Sequence, residues 1–109
     1  MEIETIKDNG IDIVYPIDRL DTTNFKEFEA FLQGLIQDNA KIIISFAKLN
    51  YISSAGLRIL LVTAKSLKAK NGTLVLCDMK KKILEVFQVS GFDKILKIES
   101  SLEDGKGCM

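Results

Sequence analysis

The sequence predicts an α/β fold: one domain over residues 1–109, with a mixed, mostly parallel sheet, an N-terminal antiparallel hairpin and about four helices. Three observations carry this. Asn9-Gly10 separates two short runs that contain apolar residues. Ile42-Ile43-Ile44 is an unbroken β-branched run. Between the later strand candidates, apolar residues recur at spacings of three and four.

The elements follow in chain order. Runs over about 2–8 and 11–17 flank Asn9-Gly10, the pair favoured in a type I′ hairpin because both central residues need positive φ. Pro16 marks an edge or an end. Phe25, Phe28, Phe31, Leu32, Leu35 and Ile36 define one helical face, with Asp21 or Thr22 as N-cap and Asp38-Asn39 as the close. Ile42 to Phe46 reads as a strand covered on both faces. Leu57, Leu60, Leu61, Ala64 and Leu67 set a second helix ending at Asn71-Gly72, and Thr73 to Cys77 a further buried strand. Lys80 to about Val89, with Ile83, Val86 and Phe87 on one face, is a third helix closed by Gly91. Ile95 to Ile98 reads as a short strand, and Ser100 as the cap of a last helical turn. The order β-β-α-β-α-β-α-β-α indicates parallel units with right-handed crossovers.

Composition narrows the chemistry. Fifteen basic residues balance fifteen acidic ones over 109 residues, so the basic excess of a phosphate-neutralising nucleic-acid binder is missing. At 47% hydrophobic residues the chain can build a core. It has no His, which removes the commonest general base and metal ligand and excludes a Ser-His-Asp or Cys-His hydrolase within the chain. Cys77 sits in an apolar run and Cys108 is penultimate, neither a disulfide framework nor a zinc spacing, and this suits a reducing compartment. Cys108 stands two places too near the end for a prenylation box. With neither a signal peptide nor a membrane-length apolar stretch, the expected location is the cytoplasm, without membrane insertion. No metal or cofactor is expected.

The informative segment is Leu49-Asn50-Tyr51-Ile52-Ser53-Ser54-Ala55-Gly56-Leu57-Arg58. It lies between a buried strand and an amphipathic helix, at the end of the strand where open α/β sheets place function. Unpaired backbone N–H groups and the dipole favour an anion at such a helix start, and a phosphoserine there would carry about −1.5 to −2 charges. Three readings stand side by side. Ser53 or Ser54 is simply an N-cap, a phosphate acceptor, or a nucleophile. Gly-x-Ser-x-Gly would need Gly where Ile52 stands, and there is no His to act as base. Lys65, Lys68 and Lys70, and the run Lys80-Lys81-Lys82, read as solvated faces. Ala55, Ile59 and Val62 are left beside the core stripe, for a neighbouring helix or a partner.

Tyr51-Ile52-Ser53-Ser54-Ala55-Gly56-Leu57 resembles the signature of STAS domains of the anti-sigma factor antagonist family, whose usual form is aromatic-hydrophobic-Asp-Ser-Ser/Ala-Gly-Leu. The resemblance spans nearly the whole chain. It includes the Arg19-Leu20-Asp21 turn and the Gly91-Phe92-Asp93-Lys94-Ile95-Leu96 close. It implies a non-enzymatic regulator bound, when unphosphorylated, by a serine kinase that is also the anti-sigma factor. Phosphorylation releases it, and a separate phosphatase resets it. The acceptor implied is Ser54, with Ser53 as the alternative because Ser53 stands where the family has Asp. The implied partner-binding residues are Asp21, Ser53, Ser54, Ala55, Gly56 and Arg58. Two other readings are a STAS subunit of a membrane transport complex and a nucleotide-binding module. The second lacks a glycine-rich phosphate loop, since Gly56 stands alone.

Overall fold

The computed structural model describes residues 1–109. The hairpin forms as expected: β1 (Ile3–Asp8) and β2 (Ile11–Pro16) pair antiparallel, and Asn9 and Gly10 take φ of 52° and 81°. β2 then pairs parallel with β4 (Lys41–Ser45), β4 with β6 (Thr73–Cys77), and β6 with the two-residue β7 (Ile98–Glu99). The sheet order is β1-β2-β4-β6-β7.

Period-two alternation on these strands builds two cores. Val14, Ile42, Ile44 and Leu76 point to one face. There they meet Phe28 and Leu32 of α1 (Phe25–Gln33), Leu57, Leu60 and Leu67 of α2 (Ser54–Ala69), and Ile83 and Phe87 of α3 (Lys81–Ser90). The Phe87 ring meets Phe46 edge-on, with centroids 5.8 Å apart. Ile11, Ile13, Ile43, Val75 and Cys77 point to the other face, under Leu102 of α4 (Leu102–Gly107) and Met109. A sheet packed on both sides is the reason Ile42-Ile43-Ile44 is apolar without a break. Ser101, and not Ser100 as expected, caps α4 by accepting from Asp104 N, while the Ser100 hydroxyl donates to Asp104 Oδ2; Lys106 holds Asp8 of the hairpin at 2.8 Å.

Four further expectations need correction. First, Asp21 and Thr22 do not cap α1. The helix starts at Phe25 after Asn24, because the Asp21 carboxylate is taken up in the turn before it, accepting from Thr23. Second, α1 ends at Gln33, not at Asp38-Asn39. Leu35 N and Ile36 N instead bond to carbonyls three residues back, and this tightened turn still leans both side chains on the core.

Third, Ile95–Ile98 is not a strand. Gly91, at φ 80°, ends α3 in a left-handed cap and opens a 3₁₀ turn over Phe92–Lys94. The turn consumes the N–H groups of Lys94, Ile95 and Leu96. Ile95 is left 66% exposed, and pairing is delayed to Ile98. Fourth, two short strands were not anticipated. β3 (Asp18–Leu20) and β5 (Leu49–Ile52) form a separate parallel ribbon, with a bulge at Asp18/Arg19 where Asp18 takes φ 67°.

At the C-terminal ends of β4 and β6, the Ser45 hydroxyl donates to Asp78 Oδ2 at 2.8 Å. Cys77 beside it is fully buried. Burial first, and the neighbouring Asp78 carboxylate second, push its thiol up to about 12. Cys108 is exposed. At pH 8, iodoacetamide should therefore alkylate the native protein at Cys108 alone, with Cys77 reacting only across the urea unfolding transition. Equal native rates at both thiols would contradict the packing of the second core.

Candidate functional site

The site forms where the start of α2 is seated on the β3–β5 ribbon. Ser53 is the N-cap, with φ −95° and ψ 172°. Its hydroxyl accepts from Gly56 N at 3.3 Å, its own N–H donates to the Leu20 carbonyl at 2.9 Å, and its carbonyl accepts from Leu57 N. Ser caps a helix about as well as Asp, so Ser53 in the usual Asp place keeps the local fold.

Ser54 is the first residue of α2 and is exposed. Its hydroxyl makes no hydrogen bond, and the first turn of α2 contains no acidic residue. The helix start thus presents a free hydroxyl in a positive field that no carboxylate of its own turn offsets.

Gly56 faces inward. A Cβ there would lie 2.8 Å from Ile52 Cγ1 and 2.9 Å from Leu20 Cγ, so glycine is what lets α2 approach the ribbon this closely. Its place is beneath the surface, with Ala55 half-buried beside it and Arg58 exposed one turn along from Ser54. Ile59 is buried in the first core, whereas Val62 stays 38% exposed.

Register in the ribbon puts Arg19 opposite Tyr51 and Leu20 opposite Ile52. The Arg19 guanidinium lies over the Tyr51 ring at 5.1 Å and pairs with Asp21 Oδ2 at 2.7 Å. Asp21 Oδ1 accepts from Thr23 Oγ1 at 2.6 Å and Thr23 N at 2.9 Å, Asp21 N donates to Asn24 Oδ1, and Asn24 Nδ2 donates to the Arg19 carbonyl. The Thr23 hydroxyl above all, then the Thr23 N–H and the Arg19 guanidinium, holds the Asp21 carboxyl below its ordinary value. Asp21 therefore enters the site as a fixed anion in a rigid loop, tied to the helix start through the adjacent Leu20 carbonyl.

Of the residues singled out from sequence, Ser53, Ser54, Ala55, Gly56 and Arg58 share the opening of α2, and Asp21 joins them across the ribbon. Sequence reasoning found α3 as a helix but did not place it at the site. A groove of about 420 Å³ runs from Ser54 and Leu57 of α2 to Lys82, Glu85, Val86, Val89 and Ser90 of α3. Val89 is 90% exposed there, and Val86, expected on the core face, is 38% exposed. The available signal was Val89 itself, an apolar residue off the helical stripe. No group of three or more His, Cys, Asp or Glu is arranged to hold a metal, and no helix is long and apolar enough to cross a membrane.

An α/β domain with this ribbon and this helix start matches the family model described as STAS domain over residues 2–105. BtrV of Bordetella bronchiseptica, which bears the name of an anti-sigma factor antagonist, is 38% identical over 85 residues, 77% of this chain and 73% of that protein. The anti-sigma-B factor antagonist of Bacillus subtilis is 27% identical over 74 residues, 68% of each chain. A solved structure from Thermotoga maritima, described as an anti-sigma factor antagonist, matches with a TM-score of 0.89 over 96% of this chain and 92% of that one. Its 19% identity speaks to the fold alone. The chain belongs to the STAS domain family and, within it, to the anti-sigma factor antagonists.

Two outcomes follow from the site geometry. Gly56→Ala should lower stability by about 1–3 kcal/mol in urea unfolding, because Leu20 and Ile52 are fixed beneath it; wild-type stability would contradict the close seating of α2. Thr23→Ala should raise the Asp21 pKa toward the ordinary carboxylate value in a carboxyl-carbon NMR titration. The stability that this turn contributes is present above the unfolded carboxyl pKa and is lost as pH falls through the depressed folded value. An unmoved Asp21 titration would remove Thr23 from the account.

Proposed function

We propose that this protein is the antagonist in a phosphorylation-controlled partner switch. Unphosphorylated, it binds a serine kinase that is also an anti-sigma factor and so frees the sigma factor. The kinase transfers the γ-phosphoryl group of ATP to Ser54. The bond from the γ-phosphorus to the β–γ bridging oxygen breaks, the Oγ–P bond forms, ADP leaves, and the hydroxyl proton passes to the kinase. The modified protein lets go, and a phosphatase hydrolyses the phosphoserine. The setting is the bacterial cytoplasm, and the chain itself catalyses nothing.

The observation that carries this reading is the division of labour between the two serines. The Ser53 hydroxyl is engaged as the cap, while the Ser54 hydroxyl is exposed and unbonded at the helix start. The names of the two relatives supply the class of partner. A dianion introduced where a partner seats must be desolvated or meet partner carboxylates, and leaving such a charge unpaired costs several kcal/mol. A ~10³-fold loss of affinity, about 4 kcal/mol, is within that range.

The test uses a purified ATP-binding anti-sigma kinase of the same host and isothermal titration calorimetry. Ser54→Ala should bind it in the presence of ATP without taking up phosphate, and Ser54→Asp should bind more weakly than wild type. Normal phosphate incorporation into Ser54→Ala would move the acceptor elsewhere. Binding of a membrane permease in place of any kinase, with Ser54 unmodified, would favour a transport subunit instead.

A further inference from the structure

The electrostatics around the groove are unusual in the unmodified protein. α3 begins with Lys80 as its N-cap residue, without a side-chain cap, followed by Lys81 and Lys82, and its first turn holds no acidic residue. Cations at a helix N-terminus oppose the dipole, so this run is placed at the end where it destabilises the helix. The start of α3 lies on the same side of the molecule as the start of α2. Both helices follow the C-terminal ends of strands, and Lys80 Nζ donates to Asn50 Oδ1 in β5, four residues before Ser54. Two positive helix ends therefore open on one groove, and Ser54 and Lys82 both line it.

Neither Lys82 nor Arg58 is in an ion pair, a state they share with eight of the other basic residues, so what sets them apart is their place beside Ser54. The charged groups that line the groove with Ser54 are Lys82 and Glu85 of α3; Arg58 stands four residues after Ser54 on its own helix, and Arg19 and Asp21 in the adjoining loop are paired with each other.

We propose that a phosphate on Ser54 is held across the groove by Lys82, with Arg58 as its second cation, so that the modified side chain lies over Leu57 and Val86 and closes the groove to a partner. The proposal rests on the reading of Ser54 as the modified residue. It changes what phosphorylation does. The new charge is matched within the protein, and what the partner loses is an apolar groove as well as a neutral helix start. A phosphate offers acceptor oxygens on several sides, so it can take Lys82, Arg58 and the free N–H groups of the first turn of α2 together.

The test installs phosphoserine at position 54 during synthesis of the full chain and follows its second ionisation by phosphorus NMR, against a phosphopeptide spanning residues 48–60. Cations favour the dianion, so the folded protein should titrate below the peptide. Lys82→Met should raise that pKa by about half a unit, roughly a threefold change in the dianion-to-monoanion ratio, and 0.5 M salt should shrink the difference. Lys81→Met is the control, because Lys81 is exposed and does not line the groove. The Val86 methyl resonances should move on phosphorylation in the wild type and stay in place in Lys82→Met.

An unchanged pKa in Lys82→Met, or equal shifts in Lys81→Met and Lys82→Met, would overturn the bridge. Because the phosphate is installed in synthesis, that result leaves the kinase reading intact. Absence of phosphate on Ser54 in the host would overturn the kinase reading without altering the titration.

Discussion

The seating of the α2 N-terminus on the β3–β5 ribbon is the contact on which the site depends. Three elements meet there. The Ser53 N–H bonds to the Leu20 carbonyl, the Ser53 hydroxyl caps Gly56, and the missing side chain of Gly56 lets Leu20 and Ile52 touch the helix. Each is short-range and intolerant of small displacement, since a buried side chain such as Leu20 has no room to retreat. Together they decide that Ser54, and not Ser53, projects from the surface. The same Leu20 carbonyl ties the Asp21 loop to the helix, so the fixed anion and the free hydroxyl are positioned by one contact.

The two-sided core makes this a rigid platform. Phe28, Leu32, Leu60 and Phe87 pack three helices onto one face of the sheet, and α4 closes the other over Ile43, Val75 and Cys77. A hydroxyl on such a support can be modified without repacking the core. Its effect then acts through charge and groove shape at the surface and needs no large motion. The site is also asymmetric. Toward the ribbon it offers Tyr51, Arg19 and Asp21, already paired among themselves, and toward α3 it offers Lys82 and Arg58 without ion-pair partners.

Much of this was legible in the sequence, for identifiable reasons. Ile42-Ile43-Ile44 announced a strand covered on both faces, and Asn9-Gly10 announced the hairpin, because both signals are local. The ribbon was illegible. β3 and β5 are three and four residues long, join positions far apart in the chain, and depend on Asp18 holding a left-handed φ. Ile95 misled because its apolar run looks like a strand, yet the left-handed Gly91 commits the following N–H groups to a turn. The motif located the site and favoured Ser54 with Ser53 as the alternative, but cap preference by itself leaves the two serines exchangeable, since either is a good N-cap. The backbone path, extended at Ser53 and helical from Ser54, and the Ser53 hydroxyl engaged by Gly56 N give the two serines different places. The α3 side of the groove has no local signal beyond Val89, because Lys80-Lys81-Lys82 looks the same solvated or recruited.

The central claim is that Ser53 holds the helix while Ser54 receives the phosphate. Tandem mass spectrometry of the protein recovered from its native host, as wild type and as Ser53→Ala, tests it most directly. Phosphate on Ser54 in both is the expected result, with Ser53→Ala showing only a weaker helix start. Phosphate on Ser53 in the wild type, with none on Ser54, would contradict the assignment of roles.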